Sequence, residues 1–165
     1  MSRTRSSNIT LHKVPVYEVR LVQTRRPLRL AETRLNDGAN SARALHALIG
    51  LTDREHFACL FLNGTNRVTG SHIAAIGGQH AIGAIDPRAI MRTALAACAS
   101  AMILGHNHSS GDPTPSVEDL HATAAIMRVA DVVGIPVVDH VIVTRDPVRY
   151  YSMHERGALP RVSDA

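Results

Sequence analysis

The segment from Ala101 to Gly134 constrains the fold most. It opens with a short apolar run, AMILG, suited to a central strand, and that run ends at His106. Small and turn-forming residues from Ser109 to Pro115 follow, then a helix from Ser116 to about Val133, which Gly134 stops. Ile135 to Thr144 (IPVVDHVIVT) reads as the next strand.

The rest of the chain alternates in the same way. Residues 1–13 read as a flexible basic tail, 14–160 as the domain and 161–165 as a short C-terminal tail. Val14 to Thr24 is β-branched and alternating, so a strand is expected there, followed by an extended basic connector from Arg25 to Leu35. Asn36 or Asn40 can cap a helix running through Leu51. Two strands, His56 to Asn63 and Arg67 to Ile76, are joined by a turn at Gly64-Thr65-Asn66 and read as a hairpin. Asp86 followed by Pro87 opens an Ala-rich helix to about Ser100. A short strand or turn from Tyr150 to Gly157 closes the domain. This alternation implies an α/β sandwich with a mixed sheet.

Size and charge bound what such a domain can do. At 165 residues and 45% hydrophobic content, one compact domain is expected. The best apolar stretch, Ala94 to Leu104, is only about half of the ~20 residues a bilayer demands, so no membrane association is expected. No apolar segment follows Arg3 and Arg5, which argues against a secretory signal. Two cysteines, Cys59 and Cys98, are too few for a disulfide scaffold and are read as buried small residues in a cytoplasmic, reducing setting. The net charge of +4 is uneven. Arg3, Arg5, Lys13, Arg20, Arg25, Arg26, Arg29 and Arg34 face only Glu18 and Glu32 in the first 34 residues, while acids outnumber bases in the remainder. Such an arm is either a solvated leader or a contact for nucleic acid.

The chemistry concentrates in GHNHSSGDPTPSVEDL, Gly105 to Leu120. His106 and His108 stand two apart at the end of a strand, so both imidazoles project to one face if the strand continues through them. Asp119 falls about one turn into the following helix, within reach of the same point if the loop folds back. Two imidazoles and a carboxylate are the ligand inventory of a catalytic zinc site, with a fourth position left for water. With ten histidines in the chain, an HxH pair alone carries no weight. Ser116 and Asp119 also fit a helix-capping box, which would account for both without any metal.

Taken together, His106-x-His108, seven residues, Ser116, two residues and Asp119 resemble the JAMM motif of JAB/MPN metalloenzymes. HNHSSGDPTPS is similar in particular to the RadC-like branch, as are PVYEVRLV, DREHFACLFLN, IPVVDHVIV and YYSMHERG. Ser109 stands where RadC-like chains usually have proline, and no helix-hairpin-helix region precedes the domain within this sequence. The resemblance implies a cytidine-deaminase-like three-layer fold with helices flanking a mixed sheet. It implies one zinc ion held by His106, His108 and Asp119, with Glu55 as acid/base and Ser116 donating to the developing oxyanion. Glu55 by itself, after Asp53 and Arg54, reads as a solvated turn residue.

The implied activity is zinc-dependent hydrolysis of a peptide or isopeptide bond in a protein or peptide, ubiquitin-like conjugates included. A nucleobase deaminase is disfavoured because its H-x-E and P-C-x-x-C pattern is absent. The other alternative is a nucleic-acid-associated module in which the basic arm, residues 3–34, binds DNA and the metal site is structural or idle. His140 reads either as a core histidine or as a partner that orients a metal ligand. His56 and His72 belong to sheet faces, and Gly77-Gly78 to a turn or bulge.

Overall fold

The structure is a computed structural model that describes residues 15–16, 18, 20–24, 27–77 and 85–161. Its centre is a five-stranded mixed sheet in the order β2-β1-β3-β4-β5. β1 (His56–Leu62) and β2 (Val68–Ile76) form the expected hairpin, with Asn66 taking a positive φ of 58° in its turn. β3 (Ala101–Asn107) pairs antiparallel with β1 and parallel with β4 (Val137–Val143), and β5 (Tyr150–Ser152) lies antiparallel on β4. All seven residues of β3 are buried, as expected of a strand enclosed on both faces.

Alternation along the strands divides the core into two layers. Phe57, Cys59 and Phe61 of β1 join Met102 and Leu104 of β3 on one face, covered by α2 (Pro87–Ala96) and α3 (Val117–Val133). Ala58, Leu60, Leu62 and Ile103 turn to the other face, against α1 (Gly38–Leu45). This is the three-layer arrangement expected, with helices on both sides of a mixed sheet.

The helix ends follow local chemistry. α1 is capped by Asp37, not by Asn36 or Asn40, because the Asp37 carboxylate accepts from the Asn40 amide at 2.7 Å. The turn after it, His46–Gly50, is wound as a π-helix. α2 has Asp86 as cap and Pro87 in its first position, and it ends at Ala96, before the positive φ of Cys98. α3 ends at Gly134, whose φ of 77° suits a residue without Cβ.

The expected strand from Val14 to Thr24 is not formed by its described residues. Val16 is 98% exposed and Val22 87%, so these side chains gain no burial by joining the sheet. Val14, Tyr17 and Val19 lie outside the described residues. The chain instead reaches the hairpin at residues 33–35, where Val68 N–H donates to Thr33 C=O and Leu35 N–H to Asn66 C=O. Of the basic arm, Arg3, Arg5, Lys13, Arg25 and Arg26 are also outside the described residues, whereas Arg20 pairs with Glu18 at 2.8 Å. Gly78 and residues 162–165 are likewise outside them. Cys98 is exposed, contrary to expectation, because the chain leaves α2 there on the surface side; Cys59 is buried as expected. No helix among the described residues is long and apolar enough to cross a membrane.

Candidate metal centre

Strand geometry places the two histidines. β3 runs further than AMILG alone suggests, through His106 to Asn107, so His106 sits inside the sheet, 1% exposed. His108 follows with its backbone still tied to the sheet, its amide donating to Val143 C=O at 2.9 Å. Their Nε2 atoms lie 2.9 Å apart.

The loop from Ser109 to Pro115 then returns the chain so that the first turn of α3 faces them. Asp119 Oδ1 is 3.2 Å from Nε2 of His106, and Oδ2 is 3.4 Å from Nε2 of His108. Among the described residues, these three are the group of histidine, cysteine and acidic side chains able to hold one metal ion, with ligand atoms within 4.8 Å of one another.

The capping box is formed as well. Ser116 Oγ accepts from the Asp119 amide at 3.1 Å, and the Ser116 amide donates to Asp119 Oδ2 at 2.8 Å. Capping and ligation are therefore not rivals, because the cap fixes the carboxylate that faces the imidazoles. The Ser116 hydroxyl donates to Asp119 Oδ2 at 2.6 Å, so in this geometry its proton is committed to that carboxylate rather than to an oxyanion.

Counting protons fixes the imidazole tautomers. Thr123 Oγ1 donates its one proton to Asp119 C=O at 2.6 Å, so His140 Nδ1–H donates to Oγ1, also at 2.6 Å. His140 Nε2 is then an acceptor and takes the proton of His106 Nδ1 at 2.8 Å. On the other imidazole, His108 Nδ1 donates to Asp112 C=O at 2.7 Å. Both Nε2 lone pairs consequently point at the same spot, beside a carboxylate. Such convergence of lone pairs needs a positive charge between them, either a proton or a metal cation, and two neutral imidazoles with one carboxylate fit zinc.

The electrostatics agree. Burial, above all, drives the pKa of His140 well below the ordinary histidine value, so His140 stays neutral. The hydrogen bond to Asp119 raises the pKa of His108 against the opposing effect of burial, with smaller contributions from Asp112 C=O and the charges of Asp119 and Glu55. Burial works to raise the Asp119 carboxyl, but its hydrogen bonds with His106 and His108 outweigh it and hold the group far below the usual carboxylate range.

Glu55 precedes β1. The β1–β3 register pairs Phe57 with His106. The ladder ends at that pair, and Glu55, two residues before Phe57, stands close enough for its charge to raise the pKa of His108. Phe57 stacks on the His106 ring, with centroids 6.1 Å apart and planes 12° from parallel. The half-buried Glu55 is thus brought to the site, more than its surroundings in sequence indicate.

His140 is fully buried, as the core reading has it, and its hydrogen bond to His106 is the contact that the orienting reading requires. His56 and His72 take no part in the cluster. Sequence reasoning missed Asn107, Thr123 and Asp112. Thr123 carried a usable signal, four residues after Asp119 on the same helix face. Asp112 acts on His108 through its backbone carbonyl, which no side-chain pattern announces.

Comparison with known proteins adds the family. The family model of the RadC-like JAB domain matches residues 35–158. The chain is 41% identical to a UPF0758 protein of Listeria monocytogenes over 104 residues, 63% of this chain and 45% of that protein. It is 39% identical to a UPF0758 protein of Syntrophomonas wolfei over 107 residues, covering 65% and 44% of the two. A UPF0758 protein of Carboxydothermus hydrogenoformans is 40% identical over 105 residues, covering 64% of this chain and 45% of its own. The chain spans about half the length of the curated relatives it matches.

Proposed function

The chain belongs to the RadC-like JAB domain family, and on that premise we propose that it is a zinc-dependent metallohydrolase acting on a peptide or isopeptide bond. The observation that carries this reading is the convergence of two Nε2 lone pairs and one carboxylate, with ligand atoms within 4.8 Å, at the carboxyl end of β3. His106, His108 and Asp119 would hold the ion. Zinc bound there supplies Lewis acidity and lowers the pKa of a coordinated water toward neutrality.

The remaining work falls to the protein's own groups. The Glu55 carboxylate accepts a proton from the water that attacks the scissile carbonyl carbon and returns it to the departing amine nitrogen as the C–N bond breaks. Ser116 holds Asp119 through Oγ and its amide. Donation from the Ser116 hydroxyl to the oxyanion requires that hydroxyl to turn away from Oδ2, after which the backbone amide still anchors the carboxylate. Phe57 and the buried His140 exclude water from the inner side of His106. The free thiols Cys59 and Cys98 suit a reducing, cytoplasmic setting.

The test is hydrolysis of a peptide library and of ubiquitin-like isopeptide conjugates by zinc-loaded protein. Glu55→Gln is expected to retain zinc and lose turnover. Full turnover in that variant contradicts the role of Glu55.

A further inference from the structure

The side chain of Asn107 points away from the histidines on either side of it, yet it is 3% exposed and fully used. Its Oδ1 accepts from the His56 amide at 2.7 Å, and its Nδ2 donates to Arg54 C=O at 3.0 Å. Those two backbone groups flank Glu55. The regular β1–β3 ladder stops at the Phe57–His106 pair, so beyond it the strands no longer bond to each other directly. The Asn107 amide bridges them in place of the missing ladder.

We propose that Asn107 is a positioning residue that sets the distance between Glu55 and the His106–His108 pair, an inference that rests on the metallohydrolase reading above. The separation matters because a base must lie within hydrogen-bond reach of the proton it moves, while the strands must part enough to admit a cation and a substrate carbonyl. A side-chain amide does both: it spans a wider gap than a direct backbone pair, and its planar donor and acceptor fix the two strands in register.

The other ties on this segment are made without β3. Arg54 C=O is also approached by Thr52 Oγ1 at 2.9 Å and by His56 Nδ1 at 2.9 Å, and Glu55 C=O accepts from the Gly77 amide on the hairpin side at 2.8 Å. They hold Glu55 to its own turn and to the hairpin. Of these contacts, only those of Asn107 reach across to the strand that carries the histidines. Its position between the two ligands means that the residue supplying the bridge shares their backbone.

The experiment loads the full chain with Co2+ and records the visible absorption spectrum, which follows the surroundings of the ion, in wild type, Glu55→Gln, Asn107→Leu and the double variant. Asn107→Ala serves as a second probe that adds no bulk. The expected result is Co2+ affinity within about threefold of wild type in the Asn107 variants, since all three ligands remain. Their spectra are expected to change in the direction seen for Glu55→Gln, and the double variant to match Glu55→Gln alone. Amide exchange at His56 should accelerate about tenfold or more once its acceptor is gone.

Wild-type spectra in the Asn107 variants, or additive changes in the double variant, overturn the inference. Loss of Co2+ affinity as severe as in His106→Ala also overturns it, by showing that Asn107 acts through the ligands. If wild type binds no Co2+, or Glu55→Gln leaves the spectrum unchanged, the metallohydrolase reading itself fails, and the inference with it.

Discussion

Nδ1 of His106 lies 2.8 Å from Nε2 of His140, and both rings are buried. Because Thr123 takes the proton on Nδ1 of His140, the pair can be arranged only with His106 donating, and that leaves Nε2 of His106 free to bind a metal. Replacing His140 by leucine removes the acceptor and releases the tautomer. Zinc affinity is expected to fall by about 10- to 100-fold, with a smaller fall for Thr123→Val. His140→Gln offers a carbonyl oxygen to the same proton and should recover part of the loss. Competition against a chromophoric chelator measures each, and unchanged affinity in His140→Leu contradicts the relay.

The raised pKa of His108 gives opposite pH signatures to the metal-free and metal-bound protein. In the metal-free protein, protonated His108 paired with Asp119 contributes stability that is complete below the unfolded histidine value and is lost as pH rises through the raised one. Metal binding needs the neutral imidazole, so affinity should increase with pH over that same range. Thermal melts in chelator and zinc titrations across about pH 5.5 to 8.5 test the two slopes. Slopes of the same sign contradict the arrangement.

Gly105 precedes His106 on the face covered by α1. A Cβ added there would stand 2.5 Å from Cδ1 and Cδ2 of the buried Leu45. Gly105→Ala is therefore expected to cost about 1–3 kcal/mol, with Leu45→Ala in the same chain relieving part of it. Equilibrium denaturation measures both, and a Gly105→Ala variant as stable as wild type would refute this close approach.

The layered fold and the grouping of His106, His108 and Asp119 were legible because each rests on short-range chemistry. AMILG has the composition of an enclosed strand, Asp86-Pro87 and Gly134 mark helix ends, and Ser116 with Asp119 forms the capping box that its spacing suggests. Where burial decides, the pattern misled. Val14 to Thr24 has strand composition, but Val16 and Val22 have no sheet face to cover them. Asp37 outcompeted Asn36 and Asn40 as the cap of α1, a choice among adjacent residues that sequence leaves open. Glu55 is identified only through the family resemblance, and the bridge that Asn107 makes to the backbone on either side of Glu55 could not be read, because it joins residues some fifty positions apart.

The two thiols differ sharply in environment. Burial pushes the Cys59 thiol up to about 12, whereas Cys98 is exposed. At pH 8 a thiol reagent should titrate one cysteine in native protein and two in denaturant, with Cys98→Ser abolishing the native reaction. Two rapidly reacting thiols in the native state would contradict the packing of β1 against α2 and α3.

We propose that His106, His108 and Asp119 form a zinc site. Its most direct test is the metal content of protein purified without chelator, determined by elemental analysis alongside His106→Ala and Asp119→Ala. The expected result is close to one zinc per wild-type chain and essentially none in either variant. A folded wild-type protein that carries no zinc and takes up none on titration, or variants that retain it in full, would contradict the claim.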